Sequence, residues 1–185
     1  KWRRRDLSIN AIGYDLEQKV VLDPYGGIKD LKNNILRPLN DDFYRDPVRL
    51  LRLIRFKLKM GFTYASDISY NRFNMNNVSY FYLFKEGEKV KLSEFFLELI
   101  FLAGGNLHPG QRKVIEFASA HEFQNFEEMV FKMIKYNAKD GLQEIESAGL
   151  LAKKKVRRLK NFIVEADCDH KKELLLDIKH MGKKF

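Results

Sequence analysis

The spacing of apolar and polar positions changes character about a quarter of the way along the chain. Leu7-Ser8-Ile9-Asn10-Ala11-Ile12 reads as a strand already under way, and Val20, Val21 and Leu22 form a second short β-prone run. The second run is closed by Asp23-Pro24-Tyr25-Gly26-Gly27, where Pro pre-sets one turn dihedral and the glycines tolerate positive φ. Two strands in sequence predict a hairpin. A hairpin alone is marginal in water, so this one is expected to belong to a sheet whose other strands lie outside the sequence. From Asp46 the period becomes helical: Val48, Leu51, Ile54 and Leu58 line one face of a helix ending near Gly61. Residues 63–82, rich in Asn, Ser and Tyr, read as a loop or linker. Helices are then predicted over Leu92 to Leu102, Gln111 to Ala120, Phe126 to Tyr136, Leu142 to Ala152, Val156 to Glu165 and Lys171 to Met181. The fold class is therefore mainly α, with a short N-terminal β-hairpin ahead of an all-helical neck and body.

Composition allows a proper core: 185 residues, 45% hydrophobic and 32% charged, are enough for one domain or two small ones. No apolar run approaches the eighteen or so residues that cross a bilayer. With one cysteine, Cys168, an internal disulfide framework and a cysteine-based zinc site are both excluded, and a reducing, cytoplasmic setting is expected. The net charge of +9 is unevenly spread. Residues 1–62 hold 14 Lys/Arg against 8 Asp/Glu, residues 63–150 hold 9 against 12, and residues 151–185 hold 11 against 5. Two basic ends around a mildly acidic middle suit a polyanion such as nucleic acid, or simply a solvated cationic surface.

Two polar clusters carry candidate chemistry. Arg4, Arg5, Asp6 and Asn10 crowd the start of the first predicted strand. An arginine fork suits phosphate or carboxylate, and a neighbouring Asp can orient it or bond a ribose hydroxyl; the alternative is an exposed basic terminus. On the following helix Asp46, Arg49, Arg52 and Arg55 recur every three residues. An Asp accepts and an Arg donates, so such a pair on a rigid helix can satisfy a nucleobase edge with the next arginines along a triphosphate. The alternative is an ordinary amphipathic helix with an intrahelical ion pair. The four histidines, His108, His121, His170 and His180, show no metal-ligand spacing. Asp167-Cys168-Asp169 reads as a polar helix boundary, and Trp2, Phe43 and Tyr80-Phe81-Tyr82 as core aromatics rather than base-stacking ones.

Taken together the clusters resemble one family. Arg4-Arg5-Asp6-Leu7-Ser8-Ile9-Asn10-Ala11, then Leu22-Asp23-Pro24-Tyr25-Gly26-Gly27-Ile28-Lys29-Asp30-Leu31-Lys32-Asn33, then Asp46-Pro47-Val48-Arg49-Leu50-Leu51-Arg52-Leu53-Ile54-Arg55-Phe56 are similar in words, order and spacing to class II tRNA nucleotidyltransferases and bacterial poly(A) polymerases. The resemblance covers about residues 1–62. It implies that Arg5, Asp6 and Asn10 hold the ribose and phosphate side of an incoming nucleotide. It also implies that Asp46 and Arg49 select CTP or ATP by hydrogen bonds to the base, and that Arg52 and Arg55 complete the pocket.

By the same resemblance residues 1–40 are the C-terminal part of a head domain, 41–62 a neck helix and 63–185 a helical body and tail. Lys153, Lys154, Arg157 and Arg158 would grip RNA. The implied reaction joins CMP and AMP to the 3′ end of tRNA, with poly(A) synthesis as the close alternative and a non-catalytic RNA-binding protein as one of another class. The implied cofactor is Mg2+, held in the family by an Asp-x-Asp pair ahead of the Arg-Arg-Asp motif. Residues 1–185 contain no such pair at that place, so this chain alone is expected to be inactive. Arg45 stands where the family usually has Glu, which makes the expected pocket more cationic.

Overall fold

The computed structural model describes residues 2–75, 78–148 and 150. Two β elements, β1 (Gly13–Asp15) and β2 (Val20–Leu22), form an antiparallel hairpin with Gly13 opposite Leu22 and Asp15 opposite Val20. The Asp15 carboxylate closes its loop by accepting from the Glu17 and Gln18 amides. The predicted hairpin is present, but its first strand is not Leu7–Ile12. Ser8–Ala11 is a turn of 3-10 helix, and Leu7 makes only an isolated bridge to Pro38. The polar side chains decide this. Asn10 donates back to Asp6 and Ser8 donates to Asp30, giving the backbone a turn in place of a ladder and burying Leu7 and Ala11 four residues apart.

A short helix, α1 (Gly27–Lys32), follows the Asp23-Pro24-Tyr25-Gly26-Gly27 turn. It has no apolar stripe and exists because the Asp23 carboxylate accepts from the Gly27 and Ile28 amides at its N-terminus, 2.7 and 2.9 Å away. Both glycines of that turn are required. Gly26 sits at φ 69°, and a Cβ on Gly27 would lie 2.3 Å from the Ser8 carbonyl oxygen.

The next elements are β3 (Ile35–Leu36), α2 (Pro47–Met60) and β4 (Thr63–Tyr64). β3 and β4 pair in parallel, Ile35 against Thr63 and Leu36 against Tyr64, so α2 is the crossover of a small β-α-β unit. Asp46 caps α2 by accepting from the Val48 amide, Pro47 occupies its first turn, and Gly61 at φ 69° ends it. The buried face is broader than the spacing predicts: Leu50, Leu51, Leu53 and Ile54 are all inaccessible to solvent. The region read as linker contains β4 and the start of a further helix, α3 (Tyr80–Gly87), begun by a Ser79 cap. Its tyrosines and phenylalanines hid the helical period, since Phe81 and Tyr82 are exposed while Tyr80 and Phe84 are buried.

The body continues with α4 (Leu92–Ala103), α5 (Pro109–Ala120), α6 (Phe126–Lys135) and α7 (Lys139–Ser147). α5 packs on α4 and α7, and α3 and α4 pack on α2. One continuous core runs from Leu7 and Leu36 through α2 to Ile145. Phe43 is a core aromatic, as expected: it is inaccessible and lies edge-on to Tyr44 and Phe73. The helices predicted at Val156 to Glu165 and Lys171 to Met181, the end of the one predicted to reach Ala152, and Asp167-Cys168-Asp169 lie outside the described residues. Among the described residues no helix is long and apolar enough to cross a membrane.

Candidate nucleotide site

Asp6 is the centre of the polar N-terminal cluster, and the backbone puts it there. Ser8 donates its amide to the Arg37 carbonyl and Leu39 donates to the Asp6 carbonyl, so the segment after Arg5 runs antiparallel beside the strand leading into α2. This brings Asp6, 6% exposed, against the first half of α2. Its Oδ1 accepts from the Leu7 amide at 3.0 Å and from Asn10 Nδ2 at 2.9 Å. Its Oδ2 lies 2.7 Å from Arg52 Nη2, an ion pair set off the hydrogen-bond axis. Both oxygens of Asp6 are thereby engaged by the protein. Beneath it, buried Asp30 accepts from Ser8 Oγ at 2.6 Å and from Arg37 Nε at 3.1 Å, and Arg37 reaches on to Asp67. Burial draws the Arg37 pKa down, but the hydrogen bond and charge of Asp30, with Asp67 behind, outweigh it and the net shift is upward.

Between the Arg4–Asn10 segment and α2 lies an open cavity of about 460 Å³, within the range of small-molecule sites. Of the seven nucleotide-site residues read from the sequence, six line it: Arg5, Asp6, Asn10, Asp46, Arg49 and Arg52. Arg4, Val48 and Phe56 complete the wall. Arg4 belongs to the same basic run, so its signal was in the sequence. Val48 and Phe56 read only as apolar positions. Asp46 spends Oδ1 on capping the helix, and its Oδ2 stands 3.9 Å from Arg49 Nε. Arg49 Nη1 is buried and has no hydrogen-bond partner, as is Arg52 Nε. An unpaired buried donor is costly, so either group gains when an acceptor reaches it.

Arg55 does not join them. Three steps of about −60° set Arg55 half a turn from Asp46, close in angle to Val48 of the cavity wall but about two turns further along the helix. There Arg55 Nη1 lies 3.1 Å from Glu86 Oε2 on α3. Nor does Arg45 make the cavity more cationic. It is 82% exposed, outside the lining, and paired with Asp42 at 3.1 Å. The basic residues Lys153, Lys154, Arg157 and Arg158 lie outside the described residues.

A segment before the hairpin and a capped helix thus enclose an arginine-lined cavity, with the other helices packed behind α2. Residues 2–37 match the family model of the poly A polymerase head domain. The chain is 51% identical over 67 residues to the multifunctional CCA protein of Vibrio vulnificus (strain CMCP6), a match covering 35% of this chain and 16% of that protein. It is 49% identical over 67 residues to the CCA-adding enzyme of Blochmanniella floridana, with the same coverage. Among solved structures, the Bacillus stearothermophilus CCA-adding enzyme in complex with CTP superposes with a TM-score of 0.53 at 21% identity, covering 98% of this chain and 51% of that one. The Thermotoga maritima CCA-adding enzyme complexed with tRNA_CCA gives 0.57 at 16% identity, covering 100% and 53%. Over about its first third the chain is thus similar in sequence to CCA-adding enzymes and to the poly A polymerase head domain, and it shares the fold of the solved CCA-adding enzymes. The matched stretch spans about a sixth of the curated relatives' length and the chain about half that of the solved ones.

Proposed function

We propose that this chain is the nucleotide-selecting and RNA-binding part of a nucleotidyltransferase that transfers CMP and AMP from CTP and ATP to the 3′ end of tRNA. The observation that carries the reading is the convergence of six motif residues, from two segments about 40 positions apart, on one cavity. In it Asp46 and Arg49 offer an acceptor and a donor to the base edge. Arg4, Arg5 and Arg52 face the triphosphate, and Asn10 the ribose. Asp6 fixes Asn10 and Arg52 in place, since its own oxygens are taken. Residues 1–40 act as head, 41–62 as neck and 63–185 as body and tail, with Lys153, Lys154, Arg157 and Arg158 on the RNA backbone in the cytoplasm.

Magnesium belongs to this reading as the family's ion, where it would polarise the attacked phosphate. The cavity does not fit it: Asp6 Oδ1 takes two hydrogen bonds and its buried Oδ2 faces the Arg52 cation, Asp46 is half spent on the helix cap, and arginines surround both. No group of three possible ligands occurs among the described residues. No step through the metal is assigned to these residues.

Titration of the chain with each of the four ribonucleoside triphosphates tests the site. CTP and ATP should bind more tightly than UTP and GTP, and Asp46→Ala or Arg49→Ala should each reduce that preference by about 1 to 3 kcal/mol, the size of a good base-edge contact. Equal binding of all four nucleotides would end the reading, and ATP alone would turn it to poly(A) synthesis. For RNA, Lys154→Ala with Arg158→Ala should weaken tRNA binding across sequences and flatten the salt dependence by roughly one unit of slope for each phosphate left without its cation.

A further inference from the structure

We infer that Glu86, which lies outside every motif read from the sequence, is a positioning residue that sets nucleotide selectivity by holding Arg55 away from the cavity. The inference rests on the proposed nucleotide site. α2 presents three arginines in succession, and a cation free to enter would compete for the same base acceptors. Two buried carboxylates sort them. Asp6 holds Arg52 from the head side, and Glu86, 6% exposed, holds Arg55 from α3. Of the three, Arg49 keeps a terminal guanidinium nitrogen buried without a partner.

The hold on Arg55 is built from both sides. Glu86 Oε2 is 3.1 Å from Arg55 Nη1, an ion pair set off the hydrogen-bond axis, while its Oε1 accepts from Lys89 Nζ at 2.6 Å, so the carboxylate faces two cations. The Arg55 guanidinium also lies 4.8 Å over the ring of Phe56, and Phe56 forms part of the cavity wall. Displacing Arg55 therefore disturbs the wall directly as well as releasing a cation. Glu86 is well placed for this because the ion pair draws Arg55 toward α3 from an angular position that it shares with Val48 of the wall.

The test is titration of the 185-residue chain with CTP and UTP, with the thermal midpoint followed in parallel. Glu86→Gln is expected to reduce the CTP-over-UTP preference at least fivefold, and Glu86→Asp, which withdraws the carboxylate by one methylene and keeps the charge, by a smaller factor. Adding Arg55→Gln to Glu86→Gln should restore the preference, because no loose cation remains. Lys89→Met removes the other cation without touching the cavity wall, and should lower the midpoint while leaving the preference unchanged. The inference is overturned if Glu86→Gln and Glu86→Asp both bind with wild-type preference. It is also overturned if the double variant is no better than Glu86→Gln, or if Lys89→Met loosens selection as much, since either result would mean a merely structural role. Absence of any CTP preference in the wild-type chain would instead overturn the proposed function itself.

Discussion

Asp6 and Phe95 are both withdrawn from solvent, one 6% exposed and the other 0%, yet their surroundings have nothing in common. Asp6 is held by directional hydrogen bonds from the Leu7 amide and Asn10 and by the charge of Arg52. Phe95 is held by shape, edge-on to Phe96 at 5.6 Å within a packing of Phe, Leu and Ile. The first kind of site tolerates few substitutes, because a hydrogen bond or ion pair fixes atom type and position. The second accepts many, because apolar packing asks for volume and pattern. The two likenesses also differ in reach: close identity spans about a third of the chain, whereas the fold likeness is not limited to that third.

The largest expected effect lies in the body. Phe95→Ala removes an inaccessible ring from the middle of α4 and should destabilise the chain by about 3 to 5 kcal/mol, measured by urea denaturation. Below its unfolding transition the variant should keep its preference for CTP over UTP, because the cavity lies at the other end of the core. Loss of selectivity in the folded variant would mean that the two regions are not separable. Asp6→Ala should be the milder change in stability, about 1 to 3 kcal/mol, since Arg52 is 43% exposed and can turn to water. Its nucleotide affinity should fall for all four triphosphates alike, because Arg52 and Asn10 lose their common anchor. A selective loss for one base would instead place Asp6 at the base edge.

The same contrast explains what could be read in the sequence. Among the described helices of the body, α4 to α7 are legible in the sequence, α4 because Leu92, Phe95, Phe96 and Leu99 repeat at the helical period, while the aromatics of α3 hide its period. The cavity was legible because six of its residues sit in ordered polar motifs. α1 was not, since a short helix whose only buried residues are Gly27 and Asp30 has no apolar period to show. Leu7–Ile12 was misread as strand because its apolar residues fit one and only the side-chain bonds of Ser8 and Asn10 reveal the turn. Recurrence every three residues and the family resemblance group Arg55 with the pocket, and only the packing of α3 on α2, which brings Glu86 to it, sets it apart. Glu86 gave no signal at all, because its role depends on which helix packs against α2.

One polar contact inside the apolar region sharpens the comparison further. Tyr80 Oη donates to Glu144 Oε1 at 3.1 Å, tying α3 to α7. Burial, with the Glu144 charge and hydrogen bond adding to it, raises the Tyr80 pKa well above the ordinary value near 10. The folded state therefore favours the neutral phenol. Its contribution is complete below the unfolded pKa and is lost as pH climbs from there toward the folded value, by about 1.4 kcal/mol per pH unit. Tyr80→Phe should cost about 1 kcal/mol at pH 8, the worth of one hydrogen bond, and that cost should have vanished by about pH 11 because the phenylalanine has no proton to lose. Denaturant midpoints of the two chains across this range measure the difference directly, since the other tyrosines contribute equally to both. A gap that stays constant to pH 11 would show that the Tyr80 hydroxyl, like the phenylalanines around it, is held by shape alone.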